Sequence, residues 1–127
     1  MQYRPLGHSG LEVSLVGLGT NNFGRRCDQA QSAAVLDQAV DSGINFIDTA
    51  NIYSAGESES HIGHWIKDRR DKVLIASKFG MKIGDGPMQM GGSRKHIMDS
   101  IEASLTRLRS DYVDLYQLHR VDRRIPV

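Results

Sequence analysis

Apolar residues in this chain recur with two different periods. Short, nearly continuous apolar runs occupy residues 14–19, 44–47, 73–77 and 112–118, and each predicts a buried strand. Between them, apolar positions return every three or four residues, which predicts helices. The first helix is capped by Asp28 with Gln31 at the capping-box position. It carries Ala33, Leu36, Ala39 and Val40 on one side and ends at Ser42-Gly43. For the second, Ser58 is the expected cap and Ile62, Trp65 and Ile66 form the stripe. Lys67 to Arg70 fill its last turn, where the helix dipole favours cations. The third starts near Ser93, with Ile97, Ile101, Leu105 and Leu108 at helical spacing. At the front, residues 3–6 and 11–13 flank the turn signal His8-Ser9-Gly10, which predicts a small β-hairpin over residues 1–13.

The predicted order is therefore hairpin, then β-α-β-α-β-α-β, in one domain over residues 1–127. Strands alternating with helices imply an α/β fold with a parallel sheet, helices outside and right-handed crossovers. The run Val73-Leu74-Ile75-Ala76-Ser77 has the unbroken apolar character of a strand covered on both faces. A Gly- and Met-rich loop follows it, from Phe79 to Gly92.

Composition removes several classes of function. A length of 127 residues suffices for one domain with a core, and a net charge of +1 gives no field for nucleic acid or an anionic membrane. No apolar run approaches the ~20 residues of a membrane helix. Met1 to Pro5 lacks the apolar segment of a signal peptide, and Cys27 stands alone, so no internal disulfide is possible. A soluble cytoplasmic protein is the expectation.

In parallel α/β folds the carboxyl ends of the strands line one face, and ligands bind there. Asp48, Lys78 and His119 stand at three such ends, and Tyr53 follows Asp48 by five residues. A carboxylate closing a buried strand needs a counter-charge, which Lys78 supplies. An ammonium beside a phenol favours its ionised form, which suits the phenol to proton donation at neutral pH. By themselves Asp48 and Lys78 also fit a structural ion pair.

Other motifs read more blandly. Gly17-Leu18-Gly19 hints at a dinucleotide fingerprint, but Asn22 occupies the place of the third glycine. His61 and His64 have metal-ligand spacing without a third ligand, so no metal is expected and both read as solvated surface histidines. Cys27, beside Arg25 and Arg26, reads as an inert surface thiol, and Arg69, Arg70 and Lys72 as a solvated helix end. Met81, Met88 and Met90 fit either a substrate mouth or a mobile loop.

The same residues carry a resemblance. Gly43 to Ala50, then Tyr53, then Glu57 to Gly63 resembles the first signature of the aldo-keto reductases. Ser77-Lys78 resembles their lysine segment, Leu115 to Arg120 their histidine segment, and Leu6-Gly7 to Gly24 their opening. Ser54 departs from the family's usual glycine. The resemblance implies an eight-stranded (β/α) TIM barrel that reduces an aldehyde or ketone, a small carbonyl substrate, by hydride transfer from NADPH. It implies Tyr53 as proton donor, Lys78 and Asp48 as its tuning pair, and His119 as the group that orients the carbonyl. Gly19, Thr20 and Asn21 would approach the nicotinamide, and Asp48 its ribose.

A complete barrel needs ~250 residues. The chain supplies four barrel strands, so a truncated half-barrel is expected. The family's later strands hold the nicotinamide amide and the adenosine phosphate. NADPH (NADP) should therefore bind weakly or not at all, and open sheet edges should invite self-association. Two rivals to catalysis stand beside it: an inactive half-barrel, and a cofactor-sensing regulatory subunit.

Overall fold

The computed structural model describes residues 1–126. Strands β1 (Tyr3–Pro5) and β2 (Glu12–Ser14) form the antiparallel hairpin, with Arg4 opposite Val13. The main sheet holds β3 (Leu18–Gly19), β4 (Phe46–Asp48), β5 (Leu74–Phe79) and β6 (Leu115–Leu118), parallel and in that spatial order. Helices α1 (Gln29–Asp41), α2 (Glu57–Trp65) and α3 (Arg94–Leu108) make the three crossovers. This is the predicted order, and it is a partial (β/α) barrel. The predicted strands at 14–19 and 112–118 shorten to β3 and β6, because only their last residues join the ladder.

The capping signals act as their chemistry requires. Asp28 accepts from the Gln31 amide while the Gln31 side chain accepts from the Asp28 amide, a full capping box. Ser93 caps α3 by accepting from the His96 amide. The start of α2 differs from expectation. Gly56, with φ at 98°, occupies the cap position, and Ser58 lies inside the first turn with its hydroxyl drawn into the core. Only a glycine takes that backbone angle without strain. The end differs too, since α2 stops at Trp65 and Lys67 to Arg70 lie beyond it.

The sheet has one covered and one open face. On the helix side Ile47 and Ile75 are fully buried, packed with Leu36 of α1, Ile62 and Trp65 of α2, and Leu108 of α3. On the other side Phe46, Leu74 and Leu115 are only half-buried. Strand residues alternate between faces, so the second set, together with Asp48 and Lys78, lines what is the interior of a barrel.

Three sequence expectations fail here for tertiary reasons. Arg70 is no solvated helix end: it pairs with Asp114 at 2.7 Å, with both side chains largely buried, and donates to the Ser110 hydroxyl and the Val73 carbonyl. It ties the entries of β5 and β6 together. His61 is 7% exposed and lies 2.9 Å from the Ser32 hydroxyl, so it belongs to the α1–α2 interface rather than the surface. His64, by contrast, is exposed. Cys27 is half-buried and packs against the core instead of standing on the surface.

Candidate active site

Three strand ends deliver the polar groups, and the parallel ladder continues past each of them. The Thr49 amide donates to the Ala76 carbonyl, the Asn51 amide to the Lys78 carbonyl, and the His119 amide to the Phe79 carbonyl. The backbone therefore stays sheet-like where the side chains turn functional. Lys78 is the hub. Its Nζ donates to Asp48 Oδ1 at 2.5 Å, to the Thr49 carbonyl at 2.8 Å and to Tyr53 Oη at 3.2 Å. One ammonium has three protons to give, and all three have acceptors here.

Tyr53 begins a short 3-10 turn, Tyr53–Gly56, in which Ser54 and Ala55 take left-handed backbone angles. That turn brings the phenol back over the strand ends. Ser54 donates from its hydroxyl to the Phe23 carbonyl, which pins the turn to the loop after β3. The rings of Tyr53 and His119 meet edge to face with centroids 5.8 Å apart. Asp48, Tyr53, Lys78 and His119 thus share one site on the open face.

Within the site, the protonation of His119 is displaced. Burial and the nearby Lys78 and Arg120 cations hold its pKa below the ordinary imidazole value, against a weaker opposing pull from Asp48. The ring is neutral at pH 7 and carries one N–H. Its Nδ1 and the Oε1 of Gln117, two residues earlier on the same strand face, are buried without a hydrogen-bond partner among the described residues. Tyr116, on the opposite face of β6, stacks on Phe79, and burial and Glu59 push its phenol pKa well above normal. Tyr116 therefore stays protonated and inert, whereas Tyr53 alone of the pair touches Lys78.

The residues expected at the cofactor divide. Gly19 faces open space where a side chain would otherwise stand, and Asn21 is exposed. Asp48 keeps Oδ2 available, since Lys78 occupies Oδ1. These three fit the nicotinamide-riboside end of a dinucleotide. Thr20 is fully buried, with its hydroxyl donating to the Asp48 carbonyl, so its side chain supports the site from beneath instead of lining it. Among the described residues no group of three or more His, Cys, Asp or Glu is placed to hold a metal, and no helix is long and apolar enough to cross a membrane.

Sequence reasoning missed the layer behind the site. Ser58, Glu59 and Ser77 are all fully buried between α2 and the sheet. The available signal was Glu59 itself, a charged residue in register with Ile62 and Ile66 on the apolar stripe.

Comparison with known proteins agrees with this geometry. The aldo/keto reductase family model matches residues 15–127. The uncharacterized oxidoreductase YrpG of Bacillus subtilis is 45% identical over 99% of this chain and 42% of its own length. A probable voltage-gated potassium channel subunit beta of rice (Oryza sativa) is 40% identical over all of this chain and 40% of its own. The holo form of the aldo-keto reductase AKR11C1 from Bacillus halodurans superposes with a TM-score of 0.84 at 36% identity, over 93% of this chain and 40% of that one. The chain spans about two fifths of the length of these relatives. With the family model covering most of its residues and the strand-end tetrad in place, this chain belongs to the aldo/keto reductase family.

Proposed function

We propose that a barrel built on this chain reduces aldehydes or ketones to alcohols, with Tyr53 as the proton donor and NADPH as the reductant. The observation that carries this reading is the threefold contact of Lys78 Nζ with Asp48, the Thr49 carbonyl and Tyr53. The bound dinucleotide would supply a hydride to the carbonyl carbon. The chain's own residues do the rest. The Tyr53 O–H bond breaks and its proton passes to the carbonyl oxygen, leaving a phenolate beside the Lys78 ammonium. Asp48 keeps that ammonium in place and balances its charge. Neutral His119 offers an N–H to the carbonyl oxygen and sets its direction toward Tyr53. Gly19, Asn21 and Asp48 would hold the nicotinamide-riboside end.

A chimera tests this, joining the present chain to the remaining barrel of YrpG. It should oxidise NADPH in the presence of an aromatic aldehyde. Tyr53→Phe should lower kcat by about 10²–10⁴-fold with little change in NADPH affinity. Undiminished turnover in that variant would remove Tyr53 from the role.

A second reading draws on the similarity to the rice channel subunit. A cofactor-sensing subunit would bind NADPH through the same residues and turn over slowly or not at all. In the chimera it would appear as NADPH binding without aldehyde-dependent oxidation.

A further inference from the structure

Two neighbouring residues of α2 reach the helix-facing side of the sheet, at the residues that flank the reacting pair. Ser58 Oγ lies 2.9 Å from Thr49 Oγ1 and donates to the Thr20 carbonyl at 2.9 Å. Thr49 directly follows Asp48, and its carbonyl is one of the three acceptors of Lys78. Glu59 accepts from Ser77 Oγ at 2.5 Å through Oε1 and from Arg107 Nε at 2.7 Å through Oε2. Ser77 directly precedes Lys78. Ser58, Glu59, Thr49, Ser77 and Thr20 are all 0% exposed.

A carboxylate buried this completely is costly unless each oxygen is satisfied. Bridging α2 to α3 would need only the Arg107 contact. Glu59 spends its other oxygen on Ser77, whose backbone sets the Cα of Lys78. Strand residues 77 and 78 point to opposite faces, so a tie on the helix face at Ser77 fixes the root of Lys78 on the open face. Ser58 does the same for Thr49 and Asp48.

We propose that Ser58 and Glu59 are positioning residues: the first turn of α2 clamps β4 and β5 from behind and so sets the distances among Asp48, Lys78 and Tyr53. This rests on the reading of those three residues as the reaction site. Neither clamp residue touches substrate or cofactor.

The experiment uses the chimera with the YrpG barrel, in which the open sheet edges are paired, and needs no turnover. Ser77→Ala removes the tie to Glu59 and leaves the Glu59–Arg107 pair intact. Val40→Ala, on α1 and packed against the core from outside the site, serves as a control for lost stability. Two quantities are read in the folded state: the rate at which an amine reagent modifies Lys78, by mass spectrometry, and the titration midpoint of the His119 ring, by NMR. With the clamp released, Lys78 should be modified several-fold faster. The His119 midpoint should climb toward its ordinary value as the Lys78 charge moves away, Arg120, Asp48 and Tyr53 being the other groups that face the ring. Val40→Ala should lower the denaturation midpoint and move neither. Ser77→Ala that folds and leaves both readouts at their wild-type values overturns the proposal. Should the alanine variant not fold, Ser77→Cys, of similar size and weaker as a donor, is read in the same way, and unchanged values again overturn it. Failure of Tyr53→Phe to slow the chimera would instead refute the reaction reading, while Lys78 reactivity would still report the clamp.

Discussion

At His119, partial burial of the ring and the Lys78 and Arg120 cations act in the same direction, against protonation. The unfolded chain gives this histidine its ordinary pKa of ~6.5, and the fold lowers it. Between those two values the unfolded state binds more protons than the native state, so stability rises with pH there. The contribution of a neutral His119 is fully present above the ordinary value and is lost as pH falls through the window toward the lowered folded value. Urea midpoints measured across that window should fall with acid more steeply in the wild type than in His119→Gln. Parallel curves would show that the ring titrates normally in the fold. The place of this residue in the site was legible in the sequence from its position at a strand end. Its protonation state was not, because that depends on burial of the ring and on the three-dimensional approach of Lys78.

At the scale of elements, the contact between α2 and α3 decides how tightly the helical layer closes. A Cβ on Gly63 would come within 2.1 Å of the Arg107 carbonyl oxygen and 2.9 Å of the Leu108 Cα. Both are backbone atoms, which cannot swing aside. The helices approach this closely because α3 presents the small residues Ser100 and Ser104 on its buried side. Gly63→Ala should therefore destabilise the fold by about 3 kcal/mol, the upper end for overpacking. Denaturant titration would expose an error here as a midpoint equal to wild type. The apolar stripe read from Ile97, Ile101 and Leu105 lies on the shoulder of α3 instead of its centre, since those side chains are only half-buried. A hydrophobic period locates a helix well, but its most buried line is set by which neighbour comes closest.

For the whole molecule, the open barrel face governs behaviour. Among the described residues, β3 and β6 each have a neighbour on one side only. Leu15 and Val16, just before β3, are 51% and 54% exposed, and Phe46, Leu74 and Leu115 lack an opposite wall. Unpaired strand edges and uncovered apolar surface both favour association. Two copies joined edge to edge about a two-fold axis would continue the parallel sheet. The 127-residue chain, produced by itself, should sediment as a dimer or larger species at micromolar concentration; a compact monomer that unfolds cooperatively would contradict this. The same openness limits the dinucleotide. On the proposed reading Gly19, Asn21 and Asp48 would address only its nicotinamide-riboside end, so calorimetry should detect no low-micromolar NADPH binding to the isolated chain. Tight stoichiometric binding would mean that affinity resides in this half.

By itself the sequence determined the element order, the parallel sheet and the tetrad of Asp48, Tyr53, Lys78 and His119. Each rests on a local signal: a period, a cap, or a polar residue closing an apolar run. The boundaries of α2 needed the fold, because Ser58 gave up a local cap for a buried partner far along the chain. Arg70 and His61 likewise looked like surface residues until Asp114 and Ser32 arrived from other elements. Tertiary structure alone decided which carboxylate is buried behind the site, because the partners of Glu59, Ser77 and Arg107, come from β5 and α3. Hydrogen-bond partners so distant in sequence leave no periodic trace; only packing brings them together.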